Sequence, residues 1–298
     1  LALLAVSDTG VDRPNRRPLP DRLVAVRFTP LPLAASSAGS LRLVGAWTVA
    51  AGDPRFFGLS ALAVRGNRLL ALTDSGVTID LPKPGDGTVT RLHDLPDGPG
   101  FATYKKYRDS EGLLQEAGGG WLVTFEYRHS LWRFDQGFTQ GAQVADLSVM
   151  RWPKNDGVEA LVGAPGGGLL LFPESTRGVL LLRDGRATLL PLVGRTGGIA
   201  DAVTLPDGRI MVAVRDLGLG IGNRLAWLER EGLGYRLVTF ATLPLGWLDN
   251  VEGLAAERLP GGGTRVWAVT DNDDWRRTVL LEMELPPERA TRARQPTC

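Results

Sequence analysis

Cysteine and histidine are almost missing from this chain of 298 residues, and their scarcity removes whole classes of chemistry. Cys298 is the sole cysteine, so neither a disulfide within the chain nor a thiolate metal cluster can form. Two histidines, His93 and His129, are too few for a histidine-based zinc site, and no HExxH stands anywhere. Apolar runs of the ~18 residues that cross a bilayer are absent too. No single sign of charge dominates: Lys plus Arg number 34 and Asp plus Glu 33, for a net charge of +1. That balance argues against nucleic acid or an anionic membrane surface as a partner. Helical periodicity is scarce, and the stretch from Phe101 to Arg108 holds at most one short turn.

Turn formers are in excess. Glycine (38) and proline (20) make up about a fifth of the chain, against an ordinary share of roughly 12 %. A chain that turns this often favours many short strands and invites a search for internal repeats. One repeat emerges. Five short strands open at Ser60, Glu111, Glu159, Asp201 and Glu252, and five apolar strands close at Asp74, Glu126, Glu174, Asp216 and Asp271. The midpoint of each pair falls at or beside a glycine: Gly66, Gly118-Gly119, Gly166-Gly167, Gly208 and Gly261-Gly262. Antiparallel hairpins need such turns.

The openings lie 51, 48, 42 and 51 residues apart, a spacing at which the whole chain holds about six units. Repeats of this length predict an all-β chain, a six-bladed β-propeller with four-stranded antiparallel blades. Pairing an N-terminal strand, Leu23–Phe28, with a C-terminal one, Val279–Leu285, would close the ring. Residues 21–286 then form one domain, flanked by an N-terminal segment 1–20 and a polar tail 287–298. Leu1 to Val6 reads either as the end of a secretory leader's apolar region or as a plain strand.

Equidistance from the turn puts opening and closing residues side by side at one end of each hairpin. Nine of those ten residues are carboxylic acids, and Asn155, Asn250, Asn272, Asp109, Asp156 and Asp249 stand nearby. Like charges so arranged need shared protons, basic partners or a bound cation. Lys105, Arg128, Arg177 and Arg215 are too few to neutralise them all. Oxygen donors without thiolates or clustered imidazoles suit a hard cation, Ca²⁺ first and Mg²⁺ or Mn²⁺ after it. A blade-packing role, with each acid capping a neighbouring backbone N–H, is the competing reading. His129 reads as a solvated loop histidine, and the eight tryptophans as blade packing, with Trp247 set apart by its neighbours Asp249 and Asn250.

At Phe57-Gly58-Leu59-Ser60-Ala61-Leu62, Asp109-Ser110-Glu111-Gly112-Leu113, Asn155-Asp156-Gly157-Val158-Glu159-Ala160-Leu161, Asp249-Asn250-Val251-Glu252-Gly253-Leu254 and Thr270-Asp271-Asn272-Asp273, the chain resembles the phytase-like proteins described by esterase-like activity of phytase. These pieces run from about residue 45 to 285 in the family's order; residues 193 to 235 match least, with Asp201-Ala202 where Glu-Gly is expected. The resemblance implies a propeller, an exported (periplasmic or secreted) protein and hydrolysis of phosphate or other esters. Histidine-acid phosphatases (RHGxRxP) and cysteine phosphatases (HCxxGxxR) are excluded by their missing motifs.

On this reading Glu111, Glu126, Glu159, Glu174, Asp216, Glu252 and Asp271 hold the cation, assisted by Asn250 and Asn272. Glu126, Glu159 and Glu174 are the expected catalytic carboxylates. Lys105, Arg128, Arg177 and Arg215 are expected to bind substrate phosphate. The partner is a small ester, phosphorylated by preference, and the chain a monomer. A non-catalytic binding propeller with structural Ca²⁺, or a lactonase- or carboxylesterase-like one, remains open.

Overall fold

The structure, a computed structural model, describes residues 14–174, 178–194, 197–218, 220–272 and 277–287. Among these, regular structure is almost wholly β-strand, because apolar runs of five to nine residues alternate with glycine turns too closely for helices to form. Strands β1 (Arg22–Pro30), β2 (Ser37–Ala38) and β3 (Leu41–Ala51) precede five antiparallel units. The first unit comprises β4 (Leu59–Arg65), β5 (Arg68–Thr73), β6 (Val77–Pro82) and β7 (Val89–Asp94). The second comprises β8 (Ser110–Gln115), β9 (Trp121–Phe125), β10 (Ser130–Phe134) and β11 (Gly141–Asp146). The third comprises β12 (Val158–Gly163), β13 (Leu169–Pro173), β14 (Gly178–Arg183) and β15 (Arg186–Val193). In the fourth are β16 (Gly198–Thr204), β17 (Ile210–Leu217), β18 (Ile221–Glu231) and β19 (Gly234–Thr242). The fifth has β20 (Asn250–Arg258), β21 (Thr264–Asp271) and β22 (Thr278–Leu285), and takes β3 as its fourth strand.

The first strands pack side by side in the cyclic order β4, β8, β12, β16, β20 and back to β4. The core is divided accordingly. Five apolar clusters fill the five interfaces between neighbouring units, for example Leu113, Trp121 and Phe125 against Ala61 and Leu72 between the first two. This is a β-propeller of five units, and the expectation of six is corrected. The residues before the first repeat, counted toward a sixth blade, are used otherwise. β3 pairs with β22 from Val49↔Thr278 to Arg42↔Glu284, so an N-terminal strand does close the ring against a C-terminal one. Leu23–Phe28, within β1, does not meet β22; it bridges β3 and β7 on the outside. A two-residue parallel pairing joins β15 to β19. Counted by hydrogen bonding, the units therefore merge into sheets of ten, four and eight strands rather than separate four-stranded blades.

Residues 14–19, within the segment set apart as 1–20, are coil anchored by Arg16, whose guanidinium donates to Ser75 O (2.7 Å) and Ala102 O (2.9 Å) and pairs with Asp94. Leu1 to Val6 and the tail from residue 288 lie outside the described residues.

Candidate functional site

Every unit begins with the same irregularity. β4 pairs Leu59 with Thr73 and Ala61 with Leu72, leaving Ser60 as an extra residue in the ladder. The extra residue is Glu159 in β12, Ala200 in β16 and Glu252 in β20. In β8 the break lies between Ser110 and Leu113 and takes in Glu111. Such bulges bend the strand and re-aim a side chain. The bulge separates the opening and closing acids, which are therefore not directly opposite one another. The closing residue instead faces the residue two before the bulge: the N–H of Asp74 donates to Gly58 O (2.7 Å), that of Glu126 to Asp109 O (2.8 Å) and that of Glu174 to Gly157 O (3.0 Å).

By this register the ring positions are Ser60, Glu111, Glu159, Ala200 and Glu252 on the opening strands. On the closing side they are Asp74, Glu126, Glu174, Arg215 and Asp271. The fourth unit is out of step with its own acids: Asp201 and Asp216 each come one residue late, and an alanine and an arginine stand in the ring instead. Asp201 is buried and accepts from the N–H of Ala202 (2.7 Å) and, across the interface, of Leu254 (2.6 Å). It is a blade-packing acid. Asp216 pairs with Arg224 and lies off the ring.

Asp74, Asp109, Glu111, Glu126, Glu159, Glu174, Glu252 and Asp271 line one cavity of about 190 Å³, together with Arg215, Ser60 and the backbone at Gly58. Two glycines let the carboxylates come this close. A Cβ at Gly157 would lie 2.7 Å from Glu126 Cγ, and one at Gly58, where φ is +61°, would lie 2.3 Å from Asp74 Oδ1. Two groups of three acids, Asp109/Glu111/Glu126 and Glu126/Glu159/Glu174, each bring carboxylate oxygens within 4.8 Å of one another.

Crowding and burial shift their acidities. Burial, then the charges of Glu159, Asp109 and Glu126, push Glu111 well above the usual carboxylate range. Glu159 rises likewise through burial and the charges of Glu252 and Glu174. Glu126 is raised to about 8 by burial, by the charge of Asp109 and by a hydrogen bond with it. Two cations offset part of the charge. Lys105 Nζ lies 2.8 Å from Asp74 Oδ2 and 3.4 Å from Asp109 Oδ1. Arg215 pairs with Glu252 and reaches Glu174 at 3.6 Å, and these charges raise its own pKa. The donor set fits a hard divalent cation. Its oxygens are anionic and clustered, and the Oδ1 of Asn250, a residue 4 % exposed, has no hydrogen-bond partner among the described residues. The Nδ2 of Asn250 donates to Glu252.

The remaining residues named from sequence are dispersed. Asn272 Oδ1 accepts from the Gly58 N–H (3.1 Å) and so braces the cavity from behind. Arg128 packs over the Tyr107 ring at 4.9 Å and lines a different cavity. Arg177 lies outside the described residues. Asp74 and Asp109, to which the sequence pattern assigns no ligand role, line the cavity as fully as the others. Aligning Ile199 with Leu59, Val158 and Val251 is the signal that sets the fourth unit in register.

A family profile described as phytase-like, esterase-like activity of phytase, matches residues 54–274. No curated protein matches the chain. Among solved structures, the glutaminyl cyclase of Myxococcus xanthus is similar at 12 % identity over 82 % of this chain and 97 % of its own, with a TM-score of 0.48. The virginiamycin B lyase of Staphylococcus aureus, solved with quinupristin, is similar at 8 % identity, covering 86 % of this chain and 99 % of its own, with a TM-score of 0.47. A calcium-binding protein, regucalcin, of Agrobacterium tumefaciens reaches 14 % identity over 87 % of this chain and 90 % of its own, at a TM-score of 0.46.

Proposed function

Because the chain belongs to the phytase-like family described by esterase-like activity of phytase, we propose that it is a metal-dependent ester hydrolase, preferring phosphomonoesters, that works at the acidic cavity. The observation that carries this reading is the excess of charge: eight carboxylates face one cavity with Arg215 and Lys105 as their basic partners. An anionic ester cannot approach such a surface until most of that charge is neutralised.

Asp109, Glu111, Glu126, Glu159 and Glu174 are the residues that would hold the cation, with Glu252, Asp271 and Asn250 completing the surround. Ca²⁺ is favoured, and Mg²⁺ and Mn²⁺ share the same donor preference. The bound cation supplies Lewis acidity and the positive charge an anionic ester requires. Glu126, which shares a hydrogen bond with Asp109, is raised to about 8 while the cavity holds no cation; beside a bound cation it would be ionised, and as a carboxylate it would be the group to take a proton from an attacking water. Arg215 is committed to Glu252 and Glu174, so its part is to orient those carboxylates. Lys105 offers a donor at the edge beside Asp74. An exported, monomeric protein acting on a small ester completes the reading; no helix among the described residues is long and apolar enough to cross a membrane.

Hydrolysis of p-nitrophenyl phosphate, p-nitrophenyl acetate and a lactone panel, each with Ca²⁺ and with chelator, tests the proposal. Phosphate ester turnover that needs Ca²⁺ and is lost in Glu126→Gln is expected. Turnover confined to the acetate or lactones would move the assignment to a carboxylic ester hydrolase. Silence on every substrate would leave a binding propeller.

A further inference from the structure

Four large apolar side chains stand well out into solvent on one face, and it is the face that bears the acidic cavity. The connections from β7 to β8, β11 to β12 and β19 to β20 lie at that end, because each leads into a first strand with its opening residue. They carry Phe101 and Val149, each 73 % exposed, and Trp247, 66 % exposed. Leu217, 77 % exposed, ends the closing strand β17 on the same side. It pairs with Ile221, whose N–H donates to Trp247 O (2.7 Å), so Leu217 and Trp247 stand close together. Single exposed apolar residues are ordinary on a protein surface; four around one cavity are not.

Cations are interleaved with them. Leu147 is buried, and Met150 and Trp152 pack on the same core cluster, which leaves Val149 and Arg151 facing solvent between them. Phe101 leans on Tyr104, with ring centroids 6.5 Å apart, and Tyr104 packs on Tyr107 at 5.6 Å. Arg128 lies 4.9 Å over the Tyr107 ring, and Lys106 and Lys154 lie 5.0 and 5.1 Å over that of Tyr127. Arg128, Arg151 and Lys154 are exposed, and none has a carboxylate partner among the described residues.

The arrangement selects among partners. The tyrosine faces are covered by cations, so no nucleic-acid base can stack on them. A protein partner needs a contiguous patch of about 800 Å², whereas these apolar side chains sit on separate loops with the acidic cavity between them. Protruding apolar side chains flanked by tyrosines and lone cations suit the headgroup layer of a lipid surface. The net charge of +1 speaks against such a partner only if charge is spread evenly. Here the cations stand out on loops and the acids are gathered in a cavity, whose field fades over about 8 Å at physiological ionic strength.

We propose that this face docks on an anionic lipid surface. Phe101, Val149, Leu217 and Trp247 enter the headgroup layer, while Arg128, Arg151 and Lys154 meet lipid phosphates. The docking draws on residues outside the acidic cavity and stands whether or not that cavity hydrolyses esters.

Vesicle flotation with the full chain, in chelator at about 0.15 M ionic strength, tests the assignment without any bound cation. The chain should float with phosphatidylcholine vesicles that contain phosphatidylglycerol and stay behind with phosphatidylcholine alone. Phe101→Ser and Trp247→Ser should each weaken binding by about tenfold. Arg151→Asn keeps a residue that accepts the left-handed φ of 55° and should weaken it by about fivefold. Melting temperatures should hold, since these side chains are exposed. Leu233→Ser, in the β18–β19 turn on the opposite face, should bind as the parent does. No flotation with anionic vesicles, equal flotation with both kinds, or unchanged binding in all three variants would each overturn the proposal. So would an equal loss in Leu233→Ser, or release of the chain by soluble polyglutamate to the same extent with and without Phe101→Ser, which would point to an acidic polymer instead.

Discussion

Glu126 holds its proton to about pH 8 because burial, the Asp109 charge and a shared hydrogen bond all oppose its ionisation. A carboxyl whose folded pKa is raised stabilises the fold fully below the unfolded value, near 4.3, and loses that contribution as pH rises through the folded value. Glu111 and Glu159 shift in the same direction. The metal-free protein should therefore melt at progressively lower temperature between about pH 5 and pH 8. Glu126→Gln should flatten that slope, and saturating Ca²⁺ should reverse it. Scanning calorimetry across this range, with chelator and with Ca²⁺, checks both; a melting temperature indifferent to pH in chelator would count against the shifted carboxyls. Asp201 makes a useful contrast. It is also raised by burial, yet both its oxygens are taken by backbone N–H groups, and it belongs to packing.

At the scale of the strand, the recurring bulge converts a repeat of sequence into a ring of chemistry, and the fourth unit breaks the pattern with Ala200 and Arg215. Arg215 thus acts as a built-in counter-ion between Glu174 and Glu252. Arg215→Glu would restore an acid at all five closing positions. It should lower the metal-free melting temperature and add about one Ca²⁺ per chain in native mass spectra; Arg215→Gln should lower the melting temperature by less. Unchanged stoichiometry in the glutamate variant would refute the counter-ion role.

The strand ends were only partly legible in the sequence. Glycines mark the hairpin turns and acids mark the strand ends, so the repeat alone groups Glu111, Glu126, Glu159, Glu174, Glu252 and Asp271, all of which line the cavity. A bulge leaves no trace in hydropathy, because one inserted residue looks like a longer turn. The repeat accordingly puts Asp201 and Asp216 in the ring, whereas the apolar residues beside them set the register one step earlier. His129 and Arg128 are corrected by tertiary packing that the repeat does not encode: the histidine expected to be solvated is buried against Trp152, and the arginine expected at the acidic rim lies over the Tyr107 ring.

Over the whole molecule, ring closure makes a terminal strand as essential as a central one. Leu41 on β3 and Leu171 on β13 are both fully buried, the first between the fourth and fifth units and the second between the second and third. Leu41→Ala should therefore cost as much as Leu171→Ala, about 2–5 kcal/mol, with denaturant midpoints as the measure. A near-neutral Leu41→Ala would mean that the seam opens without unfolding the rest. The propeller itself was legible from the repeat. Its number of units was not, because division by repeat length cannot tell a sixth blade from strands that seal and bridge five.

The same seam sets a schedule for biosynthesis. β3 leaves the ribosome before any of the five units, yet one of its edges has no partner until β22, more than two hundred residues later, has been made. Every nascent chain shorter than that carries an open, apolar edge of the kind that recruits other strands. Completion of the ring is thus a late event in the life of each molecule, and the interval before it is when a chaperone has something to hold.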